Sequence, residues 1–153
     1  MNKTKLFLLV LIIVFAFVGF LDATYLTILH FKGEVPDCSI IKGCEIVTTS
    51  KYSVIWGVPV SLMGSIYYLT MLVASFWSLQ SKSTKLFKIM FIFSLGSFIF
   101  SFYLLFLMFF IIGAVCQYCL LSAVTSSFTF VFSTMLFIIR NSLRVKDISQ
   151  EGK

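Results

Sequence analysis

IMFIFSLGSFIFSFYLLFLMFFIIGAVCQYCLLSAVTSSFTFVFSTMLFII, residues Ile89 to Ile139, carries no charged side chain. As one continuous helix it would extend about 76 Å, far beyond the ~30 Å hydrocarbon core of a bilayer. The run therefore folds back on itself, and Gly113 to Tyr118 is the natural place for the turn. That turn sets Cys116-Gln117-Tyr118-Cys119, a C-x-x-C pair, at the mouth of a membrane helix. It is the one place where the uncharged run stops to present chemistry.

Outward from this stretch the composition agrees. The chain is 59% hydrophobic and 12% charged with mean hydropathy +1.04, outside the range of soluble domains of this length. An all-α integral membrane bundle of four transmembrane helices is expected, in a single membrane domain covering residues 1–153. The ten-residue segments of alternating polarity that a barrel needs are absent. The net charge of +6 reflects membrane topology and not nucleic-acid binding, because the basic residues flank the apolar runs.

The expected spans are approximately 6–29, 58–79, 86–112 and 119–139. The first is a retained helix and not a signal peptide, since its apolar run is too long and no small-x-small cleavage site follows. The loop from His30 to Ile55 holds Cys38 and Cys44, and Glu45 to Ser50 within it suits a short helix over the bundle. Pro59 falls near the first turn of the second span, where a missing N–H costs nothing. Lys3 and Lys5, the connection with Lys82, Lys85 and Lys88, and the tail with Arg140, Arg144, Lys146 and Lys153 are basic. The first loop offsets its lysines with Glu34, Asp37 and Glu45, and the last turn has none. By the positive-inside rule both termini and the middle connection are cytoplasmic. All four cysteines then face the extracytoplasmic, oxidising side of a plasma or inner membrane.

Two cysteine pairs on one face, C-x5-C in a loop and C-x-x-C at a helix start, suit thiol–disulfide exchange, which needs an attacking thiolate to meet a disulfide sulfur directly. A Cys116 at the first turn of the last helix gains thiolate character from unpaired N–H groups and the helix dipole. Cys119, three residues on, falls on the same face and deeper. The competing readings are two structural disulfides and a four-cysteine zinc site. The first gains little from so small a ring as C-x-x-C, and the second sits poorly on an oxidising face. Asp22 lies roughly 24 Å along the first span, near the cysteine side. It reads either as a functional intramembrane acid or as an interfacial carboxylate. His30 reads as an interface residue, and Trp56 first as an interface anchor. The phenylalanine-rich third span is lipid-facing, with Gly96, Ser97 and Ser101 marking a close helix approach.

The order of parts resembles the vitamin K epoxide reductase family, specifically its bacterial homologues. The matching positions are Cys38, Cys44, Ser50, the stretch Gly57-Val58-Pro59-Val60-Ser61, Gly64, Cys116 and Cys119, and the resemblance spans about Gly19 to Ile139. It implies a membrane oxidoreductase that reoxidises a thioredoxin-fold partner through two cysteine pairs and passes the electrons to a quinone, menaquinone or ubiquinone. Disulfide formation in exported proteins is the implied outcome. Cys38, Cys44, Cys116 and Cys119 are then catalytic, and Ser50, Trp56, Ser61 and Asp22 are the expected quinone-contacting residues. Many bacterial members carry the partner fused after the last helix; this sequence stops at Lys153, so a separate extracytoplasmic partner is expected. Val60 and Ala123 stand where the vertebrate enzymes place an asparagine and a tyrosine, which favours plain quinone reduction over epoxide reduction. The alternative from another class is a small transporter with Asp22 as coupling acid and structural disulfides. The unrelated four-helix disulfide-generating quinone reductases place their two cysteine motifs in the reverse order.

Overall fold

The computed structural model describes residues 3–38, 43–80 and 83–151. Lys82 and Lys153 of the charge pattern lie outside the described residues. Helix α1 covers Lys3–Lys32, α3 Val60–Gln80, α4 Thr84–Phe106 and α5 Gln117–Glu151, and the short α2, Cys44–Thr48, lies in the first loop. Among the described residues four helices are long and apolar enough to cross a membrane, so the expected all-α bundle is present. Their apolar residues are not confined to one stripe. Phe102, Trp77 and Phe110 stand exposed on the outside, as suits helices whose solvent is lipid.

Helix α1 is central. It packs on α3 and α5, α4 packs on α5, and α3 and α4 adjoin only loosely. Leu9, Ile12 and Ala16 of α1 meet Tyr68 and Met71 of α3 and Leu136 of α5 in the main core. Stacked phenyl rings join the helices, Phe15 to Phe128 at 4.8 Å and Phe98 to Phe130 at 4.8 Å between centroids. Gly19 of α1 receives the Tyr68 ring of α3: a Cβ there would run into the ring, so glycine fits. Ser101 does mark contact between α4 and α5 through a 2.9 Å hydrogen bond to Ser126. Gly96 does not; a Cβ on it would meet nothing within 4 Å, because that turn of α4 faces a cavity.

The short loop helix expected from Glu45 to Ser50 is α2, followed by a single 3-10 turn at Lys51–Ser53. Next comes a two-residue hairpin, β1 Val54–Ile55 against β2 Val58–Pro59. Trp56 and Gly57, both at positive φ (52° and 80°), form its turn, the type I′ geometry that matches strand twist. The second span thus starts at Val60, one residue past Pro59, and Pro59 ends the hairpin instead of opening the helix. A proline is tolerated in such an edge pair because little of the ladder depends on its missing donor.

Candidate redox site

The end of α4 decides where the C-x-x-C pair sits. Residues Leu107–Ile112 wind as a π-helix, and Gly113 closes it in the left-handed conformation at φ 67°, its N–H donating to the Met108 carbonyl at 3.1 Å. Such wider turns rotate side chains out of α-helical register and recur at functional sites. Here the turn aims Met108 inward, and the Cys116 N–H donates to its sulfur at 3.4 Å. Cys116 then caps α5. Its carbonyl accepts the Leu120 N–H at 3.1 Å, and its Sγ accepts the Cys119 N–H at 3.4 Å, so one orphan amide of the helix start is satisfied by sulfur. The thiol is pulled down to about 7. The Cys119 side chain, hydrogen-bonded to the sulfur, is the main cause; burial opposes it, and the Cys119 and Tyr118 amides assist.

The loop pair lies against this turn. Cys38 and Cys44 form a disulfide with Cα atoms 6.0 Å apart, while Cys116 and Cys119 are free thiols. Cys44, Cys116 and Met108 form one fully buried cluster, flanked by Cys38, Cys119, Val47 and Leu105. Contact is enforced at Gly43, which adopts φ 151° and approaches so closely that a Cβ would stand 2.8 Å from the Val115 carbonyl oxygen. Tyr118 adds a second tie, its ring 5.4 Å from that of Tyr25 and its hydroxyl reaching the Asp37 carbonyl at a long 3.4 Å. Exposure is graded across the four sulfurs. Cys38 is half-buried at the loop surface, Cys44 and Cys116 are sealed, and Cys119 is half-buried on the far side.

Cys119 opens onto a cavity of about 550 Å³ inside the bundle. Its walls are mostly apolar, among them Leu26, Met63, Ile92, Phe100 and Leu104, with few polar groups, as is usual for a site that takes an apolar ligand. Asp22, Ser50 and Ser61 of the sequence expectation line it, as do Val60 and Ala123. The Ser50 hydroxyl, however, donates to the Val47 carbonyl at 2.7 Å, the local bond a loop serine usually makes. His30 sits at the rim. Trp56 is not on the wall: at the hairpin tip its side chain is wholly exposed, the placement of an interface anchor and not of a lid over a ring.

Three wall residues have no counterpart in the sequence reading. Met108 is placed by the π-turn, for which the phenylalanine-rich stretch gives no signal. Tyr68 donates to the Ser122 carbonyl at 2.7 Å and lies 2.8 Å from Thr125 Oγ1, tying α3 to α5 just below Cys119. Tyr67, its neighbour, has a buried hydroxyl without a hydrogen-bond partner, and the Asp22 carboxylate oxygens are in the same condition. A pair of adjacent tyrosines in a hydrophobic helix was the available signal for both.

Such a set, two cysteine pairs in one cluster sealed at Cys44 and Cys116 and lying beside an intramembrane cavity, is equipped for thiol–disulfide exchange at the edge of a bilayer. Comparison with curated proteins finds no match. The vitamin K epoxide reductase family model matches residues 10–134, and the chain belongs to that family of membrane redox proteins.

Proposed function

We propose that this protein is a quinone-dependent thiol–disulfide oxidoreductase that reoxidises a thioredoxin-fold partner on the extracytoplasmic side, both termini being cytoplasmic. The observation that carries the reading is that Cys44 and Cys116 share one buried cluster while Cys119 lies on the cavity wall. A thiolate of the reduced partner attacks Cys38, the more exposed sulfur of the loop disulfide, and Cys44 leaves as a thiolate. The partner's second thiol then displaces Cys38 and departs as a disulfide, which leaves Cys38 and Cys44 as a dithiol. Cys44 attacks Cys116 of an oxidised inner pair, and Cys119 is released as a thiolate facing the cavity. Cys38 recloses on Cys44 and frees Cys116. The loop pair is then bonded again and the inner pair reduced.

The cavity fits a quinone in size and polarity, with mostly apolar walls, a thiol at one end and buried oxygens without partners. A quinone held there would supply an acceptor for two electrons and two protons. Cys116 and Cys119 supply the electron pair as they close their disulfide, and the Asp22 carboxyl, buried on the same wall, is the group placed to hand over a proton. Ser61 belongs to that wall as well, whereas Trp56 serves the interface.

The test is spectrophotometric. Purified protein in detergent, given a quinone and a reduced thioredoxin-fold protein, is expected to consume quinone, and Cys116→Ala is expected to stop it. Consumption that persists in folded Cys116→Ala protein would sink the relay.

A further inference from the structure

Among the described residues, the buried side-chain oxygens without a hydrogen-bond partner include several scattered through the bundle, and the residues among these that line the cavity are Asp22 and Tyr67. Ser97 of α4 lies close to the Tyr67 hydroxyl without meeting hydrogen-bond geometry. Leaving a phenol and a carboxyl unpaired in an apolar cavity is costly unless a ligand completes them.

The helix register puts both at one depth. Thr24 of α1 and Ser65 of α3 are joined side chain to side chain at 2.9 Å, and the two helices run antiparallel. Two residues further from the loop end on each helix are Asp22 and Tyr67. On α5 that neighbourhood corresponds to Ser122, which the adjacent Tyr68 reaches. Ser122 lies three residues past Cys119, about 4.5 Å along the helix axis. A thiol, then an aromatic-sized interval, then a donor and an acid is the sequence of groups met on going inward. Val60 and Ala123, on the same wall, offer no donor.

We propose that Tyr67 donates a hydrogen bond to one carbonyl of the quinone head group, which lies between Cys119 and the level of Tyr67 and Asp22. The inference rests on the quinone reading above and names the binding residue that reading lacks. A phenol suits this role because it donates while staying neutral, so it fixes the ring without adding charge to the membrane interior. Asp22 faces the same head group. A proton on its carboxyl removes the cost of an unpaired buried charge and makes it a second donor.

The experiment uses 2,3-dimethyl-1,4-naphthoquinone with the full chain in detergent. Infrared difference spectra of the bound quinone are expected to show a carbonyl band at lower frequency than for the quinone in detergent alone. In Tyr67→Phe this band should return toward the detergent position, with Kd and KM for the quinone up about tenfold, kcat less affected and thermal stability unchanged. A wild-type band at the detergent position overturns the proposal without any variant. So does a Tyr67→Phe protein whose Kd, KM and carbonyl band match wild type. A stability loss shared by Tyr67→Phe and Ser97→Ala with quinone affinity untouched would assign the hydroxyl to Ser97, and overturns it too. Wild-type protein that neither binds nor reduces the quinone would remove the underlying reading, an outcome distinct from failure of Tyr67 alone.

Discussion

Gly43→Ala tests whether the relay depends on the loop pair being pressed onto the C-x-x-C turn. The added Cβ would stand 2.8 Å from the Val115 carbonyl oxygen and 3.0 Å from its nitrogen, where ordinary contact begins at 3.4 Å. Both are backbone atoms one residue before Cys116, so no rotamer change relieves them. The alanine must also hold φ near 151°, which L side chains rarely adopt. Backbone strain of this kind costs roughly 1–3 kcal/mol, and overpacking by one carbon about as much. The cheapest relief is for the loop to lift by about half an ångström or more, which separates Cys44 from Cys116 while leaving the helices in place. Since a misplacement of about 1 Å can cost a hundredfold in rate, turnover with a thioredoxin-fold donor should fall about tenfold or more. Quinone loss in steady state measures the overall rate. Trapping of the partner's mixed disulfide with Cys38 measures the first step, which should change much less. Gly43→Ala protein of unaltered fold that turns over within about twofold of wild type would refute the reasoning.

Cys116 should titrate near pH 7 in reduced protein lacking the loop pair, read by ultraviolet thiolate absorbance, against an ordinary thiol value of 9.0. Its lowered value means that the thiolate's contribution to stability is complete above pH 9 and fades as pH falls through 7. Cys119→Ala, which removes the main cause, should move the midpoint upward; a midpoint unmoved would place the cause elsewhere. At the α1–α3 contact, Gly19→Ala forces the Tyr68 ring aside and breaks its bond to the Ser122 carbonyl. The expected loss is about 2–3 kcal/mol in detergent unfolding, against about 1 kcal/mol for Tyr68→Phe, which loses only the hydroxyl's bonds to Ser122 and Thr125. Equal losses would mean that the ring is not confined.

Most of the architecture was legible because lipid imposes a coarse code. An uncharged run too long for one crossing must turn, and basic flanks mark where the apolar spans end, although α5 itself runs on as helix to Glu151. The turn at Gly113 to Tyr118 and the short helix after Cys44 follow from that code and from local turn chemistry. The Trp56-Gly57 hairpin did not, since tryptophan at positive φ has no sequence signal and the proline after it reads as a helix start. Gly96 and Gly19 show the same limit from another side. One glycine looks much like another in a hydrophobic run, yet one borders open space and the other receives a tyrosine ring. The cysteines were readable as pairs, but their graded burial was not, because it depends on a π-turn that shifts register without altering composition.

That turn also bears on how the chemistry is ordered. By closing α4 one register late, it brings Met108 under the Cys116 amide and leaves Cys116 as the cap of α5. A cap sulfur that accepts the Cys119 amide is favoured as a thiolate, and a stable thiolate helps twice. In the proposed relay Cys38 attacks Cys44 of the Cys44–Cys116 bond and Cys116 is the leaving group, which departs faster the more stable its thiolate. Once free, the same sulfur is substantially ionised at neutral pH and can close on Cys119 as the electrons leave. Cys44 and Cys116, the two sulfurs the proposed relay joins, are sealed from solvent. On that proposal small thiols would enter at Cys38 and membrane-soluble oxidants would act at Cys119, with the current between them confined to one path.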